Sequence, residues 1–183
     1  ANSIQKLKNN NALPDVSLLD VNKKTVNVKN IITKKTIIYF WTKQADSHSY
    51  HSHKKAEELK AKYPEIQFIA ININNSQEDW LKEIKTKGFT NSIELRAPNF
   101  EELKDKWVIN KVYRTMIINK NGSINNAFVS MFDANFENSI LFPVLPISIS
   151  LIEVSQIFRH ISNIQPSIIL ELSEFCVNCI ALL

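Results

Sequence analysis

The sequence predicts an α/β fold in which a central mixed β-sheet is flanked by helices, and three observations predict it. Thr36-Ile37-Ile38-Tyr39-Phe40-Trp41 is an unbroken β-branched and aromatic run, the pattern of a strand covered on both faces. Ile66 to Ile73 is a second such run, and the stretch between them carries Ala56, Leu59 and Tyr63 at helical spacing before Pro64. Strand, helix and strand of these lengths make a βαβ unit with parallel pairing and a right-handed crossover. Finally, Val112 to Ile118 is separated from Ile124 to Val129 by Asn119-Lys120-Asn121-Gly122, whose Asn-Gly pair supplies the positive φ of a hairpin turn.

The remaining elements fall into place around these. Residues 1–12 are polar and Asn-rich and read as a loose lead-in to a domain spanning 13–141. Leu13 to Leu19 alternates well enough for a short strand or extended arm; Asn22-Lys23-Lys24 turns it and Thr25 to Val28 returns. Ser76 followed by Asp79 resembles a capping box, and Trp80, Leu81 and Ile84 give the ensuing helix an apolar stripe that Gly88 ends. Asn99 caps a shorter helix that turns Phe100, Leu103 and Trp107 inward, and Phe132 to Leu141 starts a closing helix. Trp41, Trp80 and Trp107 are read as packing residues. Residues 142–183 form an apolar, Ile- and Ser-rich tail whose periodicity fits neither helix nor strand.

Composition narrows the function classes. Hydrophobic residues make up 44% and charged residues 22%, as in ordinary globular domains. The net charge of +4 is diffuse, and no dense basic run interleaved with aromatics appears, which argues against a nucleic-acid partner. The most apolar segment, Leu141 to Phe158, contains Pro143, Pro146 and Glu153, so no membrane span is expected. No cofactor motif is read, and no signal segment.

Four landmarks in order, Leu13-Pro14-Asp15-Val16-Ser17-Leu18, Ile38-Tyr39-Phe40-Trp41-Thr42, Ile69-Ala70-Ile71-Asn72 and Thr115-Met116-Ile117-Ile118-Asn119-Lys120-Asn121-Gly122, carry a resemblance. The chain from about 12 to 141 resembles the thioredoxin-like domains of the TlpA/ResA and peroxiredoxin-related (AhpC/TSA) group. The resemblance implies a thiol–disulfide oxidoreductase or antioxidant protein of the bacterial cell envelope or periplasm; the lack of a signal segment keeps a cytoplasmic location open. It also implies a Cys-x-x-Cys where the first long helix starts. Here that spacing falls on Ala45-Asp46-Ser47-His48, and the cis-proline that the family sets before the hairpin strand falls on Arg114. Ala45 offers no nucleophile and an imidazole forms no mixed disulfide, so Ala45, His48 and Arg114 read as a vestigial redox site with no catalytic residue. A trans peptide is expected at Arg114, with its guanidinium near that site.

Two function classes follow. In the first, the chain is a redox-inactive binding module in which Asp46, Ser47, His48 and Arg114, at a helix N-terminus, take a peptide, a protein or a small anionic ligand. Against it stands an Asp46–Arg114 ion pair that merely closes the surface. In the second, an enzyme uses the displaced pair Cys176-Val177-Asn178-Cys179 as its dithiol, although two incidental tail cysteines, or a regulatory disulfide, also account for that pair and the incidental reading is the simpler one. His48, His51 and His53 suggest a metal site, but only His48 and His51 share a helical face and neither of these two is followed by a carboxylate at i+4, so no metal is expected. Ser47 beside His48 lacks the nucleophile elbow of a hydrolase.

Overall fold

The computed structural model describes residues 3–141, and within them a seven-stranded sheet is ordered β2-β1-β5-β4-β3-β6-β7. The strands are β1 (Ser17–Leu19), β2 (Thr25–Asn27), β3 (Thr36–Trp41), β4 (Gln67–Asn72), β5 (Ile93–Arg96), β6 (Thr115–Ile118) and β7 (Ile124–Val129). β3, β4 and β5 run parallel; β6 and β7 pair antiparallel on one side, and β1 and β2 on the other. The helices are α1 (Ser3–Lys6), α2 (Val28–Ile31), α3 (Asp46–Lys62), α4 (Gln77–Lys87), α5 (Phe100–Trp107) and α6 (Phe136–Leu141).

Alternation along β3 divides the core. Ile38 and Phe40 face one side with Ile69, Ile71, Leu95, Met116 and Ile118, where α5 contributes Leu103 and Trp107. Ile37, Tyr39 and Trp41 face the other with Phe68, Ala70 and Ile117, covered by Ala56 and Leu59 of α3, Trp80 of α4, and Phe136 and Ile140 of α6. Both faces of β3, β4 and β6 are therefore largely dry, which explains why these strands read as continuous apolar runs. All three tryptophans are fully buried. Each such side chain removed from water contributes about 1.5–3 kcal/mol or more.

The local punctuation works as its chemistry dictates. Ser76 Oγ accepts the Asp79 N–H at the start of α4, Asn99 Oδ1 accepts from Glu101 and Glu102 at the start of α5, and Gly88 closes α4 at φ +66°. Asp20 holds the β1–β2 turn by accepting the amides of Asn22 and Lys24.

Three features differ from the expectation. The lead-in is tied down: after α1, Leu7 is buried, Asn10 N–H donates to the Ile124 carbonyl, and Leu13 N–H donates to that of Gly122. Ile4 and Leu7 are the only large apolar residues in this polar run, too few to set a periodicity, so the burial of Leu7 against the domain was invisible locally. β5 was absent from the expectation because Glu94 sits in its middle, and that carboxylate is itself buried. The strand expected from Val112 begins at Thr115, and α6 begins at Phe136 rather than Phe132. Cys176 and Cys179 lie outside the described residues.

Candidate functional site

The parallel strands β3, β4 and β5 all end at one edge, and the loops leaving β3 and β4 meet at the start of α3. A short 3-10 turn, Lys43–Ala45, leads into this helix. Asn75 holds it from the neighbouring loop: its Oδ1 accepts the Lys43 N–H at 3.0 Å and the Asn72 side-chain amide at 2.9 Å, while its Nδ2 donates to Gln44 at 3.1 Å. Ser49 Oγ donates to the carbonyls of Thr42 at 2.7 Å and Ala45 at 3.0 Å, stitching the first turn to the strand end.

His48 faces the segment that precedes β6. Its Nε2–H donates to the Val112 carbonyl at 3.1 Å, and its ring meets Tyr113 edge-on at 4.5 Å and Phe132 at 5.9 Å between centroids. Burial pushes the His48 pKa down, against the Val112 carbonyl, which favours the charged form. Tyr113 and Phe132 remain 58% and 47% exposed. The helix start is thus an imidazole framed by two solvent-facing aromatic rings.

Arg114 does not join this group. Its guanidinium turns to the C-terminal end of α5, donating to the carbonyls of Val108 (2.9 Å) and Trp107, with the Phe128 ring 4.9 Å away. Burial lowers its pKa to about 10. Asp46 pairs instead with Lys87 of α4. The expected Asp46–Arg114 ion pair is therefore corrected: the chain turns at Val112 and Tyr113 before β6, and Tyr113 reaches α3 while Arg114 reaches α5. There is no cis peptide bond among the described residues.

The other sequence candidates separate. Ser47 Oγ lies 3.4 Å from His51 Nδ1, and both side chains are on the exposed face of α3. His53 turns inward, 8% exposed, so the three imidazoles diverge. Its Nδ1–H donates to the Ser49 carbonyl at 2.7 Å, and its Nε2 lies 3.1 Å from Glu94 Oε1. Trp41 Nε1 donates to Glu94 Oε2 at 3.2 Å, and Phe89 stacks on the imidazole at 3.4 Å. Burial pushes the Glu94 carboxyl above its usual range, opposed by His53 and Trp41. Sequence reasoning missed this buried pair; a glutamate amid Ile93 and Leu95 was the available signal.

Between residues 3 and 141 there is no cysteine, and the only sulfur is the thioether of Met116 and Met131. The opening turn of α3 can donate and accept hydrogen bonds and can pack aromatic surface, but it has no group that exchanges a disulfide.

A family model described as thioredoxin-like matches residues 33–124, half of the chain. No curated protein matches it. Among solved structures, a candidate thiol-disulfide oxidoreductase from Bacteroides vulgatus is 20% identical with a TM-score of 0.64, covering 74% of this chain and 96% of its own. A domain of a candidate thiol-disulfide isomerase from Cytophaga hutchinsonii is 23% identical with a TM-score of 0.63, covering 73% and 91%. A candidate thiol:disulfide interchange protein DsbE from Chlorobium tepidum is 18% identical with a TM-score of 0.59, covering 74% and 96%.

Proposed function

Because this chain belongs to the thioredoxin-like family, we propose that it keeps the family's scaffold as a redox-inactive module that binds an extended polypeptide at the start of α3. The observation that carries this reading is the pair of exposed rings, Tyr113 and Phe132, that both pack against His48. Ala45 and His48 stand where the resemblance puts the dithiol. Large, rigid rings at an exposed site give contact area at small entropic cost, which suits a peptide side chain inserted between them. A small anion is disfavoured: Arg114 is engaged at the end of α5, and Asp46 puts a carboxylate on the first helical turn.

The probe for this reading is fluorescein-labelled, S-carboxymethylated insulin B chain, an extended peptide without a thiol, followed by anisotropy. Tyr113→Ser and Phe132→Ser should each weaken its capture at least tenfold, with thermal melts unchanged because both rings face solvent. Equal binding by wild type and both variants would remove the site from α3.

The second reading, a thiol–disulfide oxidoreductase working through Cys176 and Cys179, is favoured by the names of the structural neighbours. The same resemblance supports, as part of this proposal, a place in the bacterial cell envelope. Among the described residues no helix is long and apolar enough to cross a membrane.

A further inference from the structure

The buried pair of His53 and Glu94 plays no part in peptide capture, and its proton inventory is fixed by its neighbours. The Ser49 carbonyl can only accept, so His53 Nδ1 carries a hydrogen. The Trp41 indole can only donate, so Glu94 Oε2 is an acceptor. One proton then lies between His53 Nε2 and Glu94 Oε1, 3.1 Å apart. With no proton there, two lone pairs face each other; with two, the imidazole N–H meets a neutral carboxyl whose own O–H, on either oxygen, has no acceptor within the pair. Both side chains are more than nine-tenths buried, so neither mismatch is relieved by water in the closed fold.

The surroundings give the mismatch an exit. Phe89 lies flat on the imidazole, Tyr39 and Trp41 meet it edge-on at 5.3 and 5.2 Å, and a cavity of about 150 Å³ opens beside it between α3 and residues 88–92. The charged and titratable groups facing the pair are few. From α3 come Tyr50, Lys54 and Glu57 on the cavity wall, the latter two paired at 3.3 Å, with His48 and His51 further along the helix. From α4 comes Lys87, engaged by Asp46 and Glu83. From β3 comes Tyr39, whose hydroxyl is bonded to Ser92 at 2.9 Å. Segment 88–92 itself, Gly-Phe-Thr-Asn-Ser, carries no charge. No second buried carboxylate among these is placed to neutralise an imidazolium.

We propose that the His53–Glu94 pair is an acid-opened latch: one shared proton fastens α3 to β5 beneath Phe89, and a second proton taken from solvent releases segment 88–92 so that water enters through the cavity. The second proton leaves this buried pair with one donor hydrogen more than it can accept. Only hydration then satisfies that donor, and the uncharged segment carrying Phe89 is what moves aside.

Amide hydrogen exchange of residues 88–92 in the full chain, corrected for intrinsic rates, tests this between pH 7.5 and 4. In wild type the protection of these amides should fall at least tenfold on acidification while that of β3 holds. Glu94→Gln keeps both hydrogen bonds but removes the carboxyl that shares the proton, so a single proton opens the latch and the midpoint should rise by at least one pH unit. His53→Gln bonds Glu94 in either protonation state and should abolish the transition. Constant protection in wild type, an unshifted midpoint in Glu94→Gln, or acid opening that persists in His53→Gln each overturns the proposal. If His53→Gln does not fold, the Glu94→Gln midpoint decides alone. None of these readouts involves the peptide probe.

Discussion

Replacing Arg114 tests whether that side chain is structural or part of the binding surface. In Arg114→Met the apolar stem survives while the guanidinium is lost. Two hydrogen bonds from a cation to the final carbonyls of α5 disappear, and so does the contact with Phe128. Charge-assisted bonds contribute about 1.5–3 kcal/mol each when dry, and about half that here because the side chain is only half-buried and water replaces part of the loss. The cation–π contact adds about 0.5–1 kcal/mol. The sum is about 2–4 kcal/mol, or roughly 10 °C in the melting temperature of a domain this size. Arg114→Lys keeps the charge but cannot span two carbonyls with a planar fork, so it should lose about half as much. Urea denaturation gives the free energies, and anisotropy with the carboxymethylated peptide gives binding, which should be unchanged. A loss below about 0.5 kcal/mol combined with weakened capture would refute this reasoning and return Arg114 to the ligand.

Three further outcomes are expected. Val108 closes α5 in the left-handed region at φ +55°, where a β-branched side chain is strained, so Val108→Gly should raise stability by about 1 kcal/mol in urea melts. Asn75→Ala removes the acceptor for Lys43 and Asn72, and should cost about 1–3 kcal/mol while raising amide exchange in residues 42–45. For pH, the raised Glu94 pKa means that the folded state binds more protons than the unfolded one; its contribution is complete below the ordinary value of 4.5 and is lost as pH rises through the folded value. The stability advantage of wild type over Glu94→Gln should therefore shrink from pH 5 to pH 8, by at most tenfold in the folding constant per unit; an advantage that grows with pH contradicts this.

The strands flanked by helices were legible because burial on both faces writes itself as runs such as Thr36 to Trp41, and because Ser76, Gly88 and Asn99 act through purely local chemistry. β5 was not legible, since Glu94 breaks its apolar pattern and is made tolerable only by partners 41 and 53 residues away in sequence, His53 and Trp41. The order of Leu7 and α1 likewise rests on tertiary packing. At the site, the meeting of the α3 start with the segment before β6 followed from the family landmarks. Which side chain would point there did not: it rests on the turn at Val112 and Tyr113, and Tyr113 rather than Arg114 faces His48. His53 was correctly separated from the other imidazoles, but a lone histidine on a helix does not disclose a buried acid on a distant strand.

The most direct test of a thioredoxin-like scaffold without thiol exchange is dithiothreitol-driven insulin reduction by the full chain, measured beside Cys176→Ser. The account expects both proteins to match the uncatalysed rate, leaving peptide capture intact. Turnover by wild type that disappears in Cys176→Ser would contradict it and make the tail pair the working dithiol.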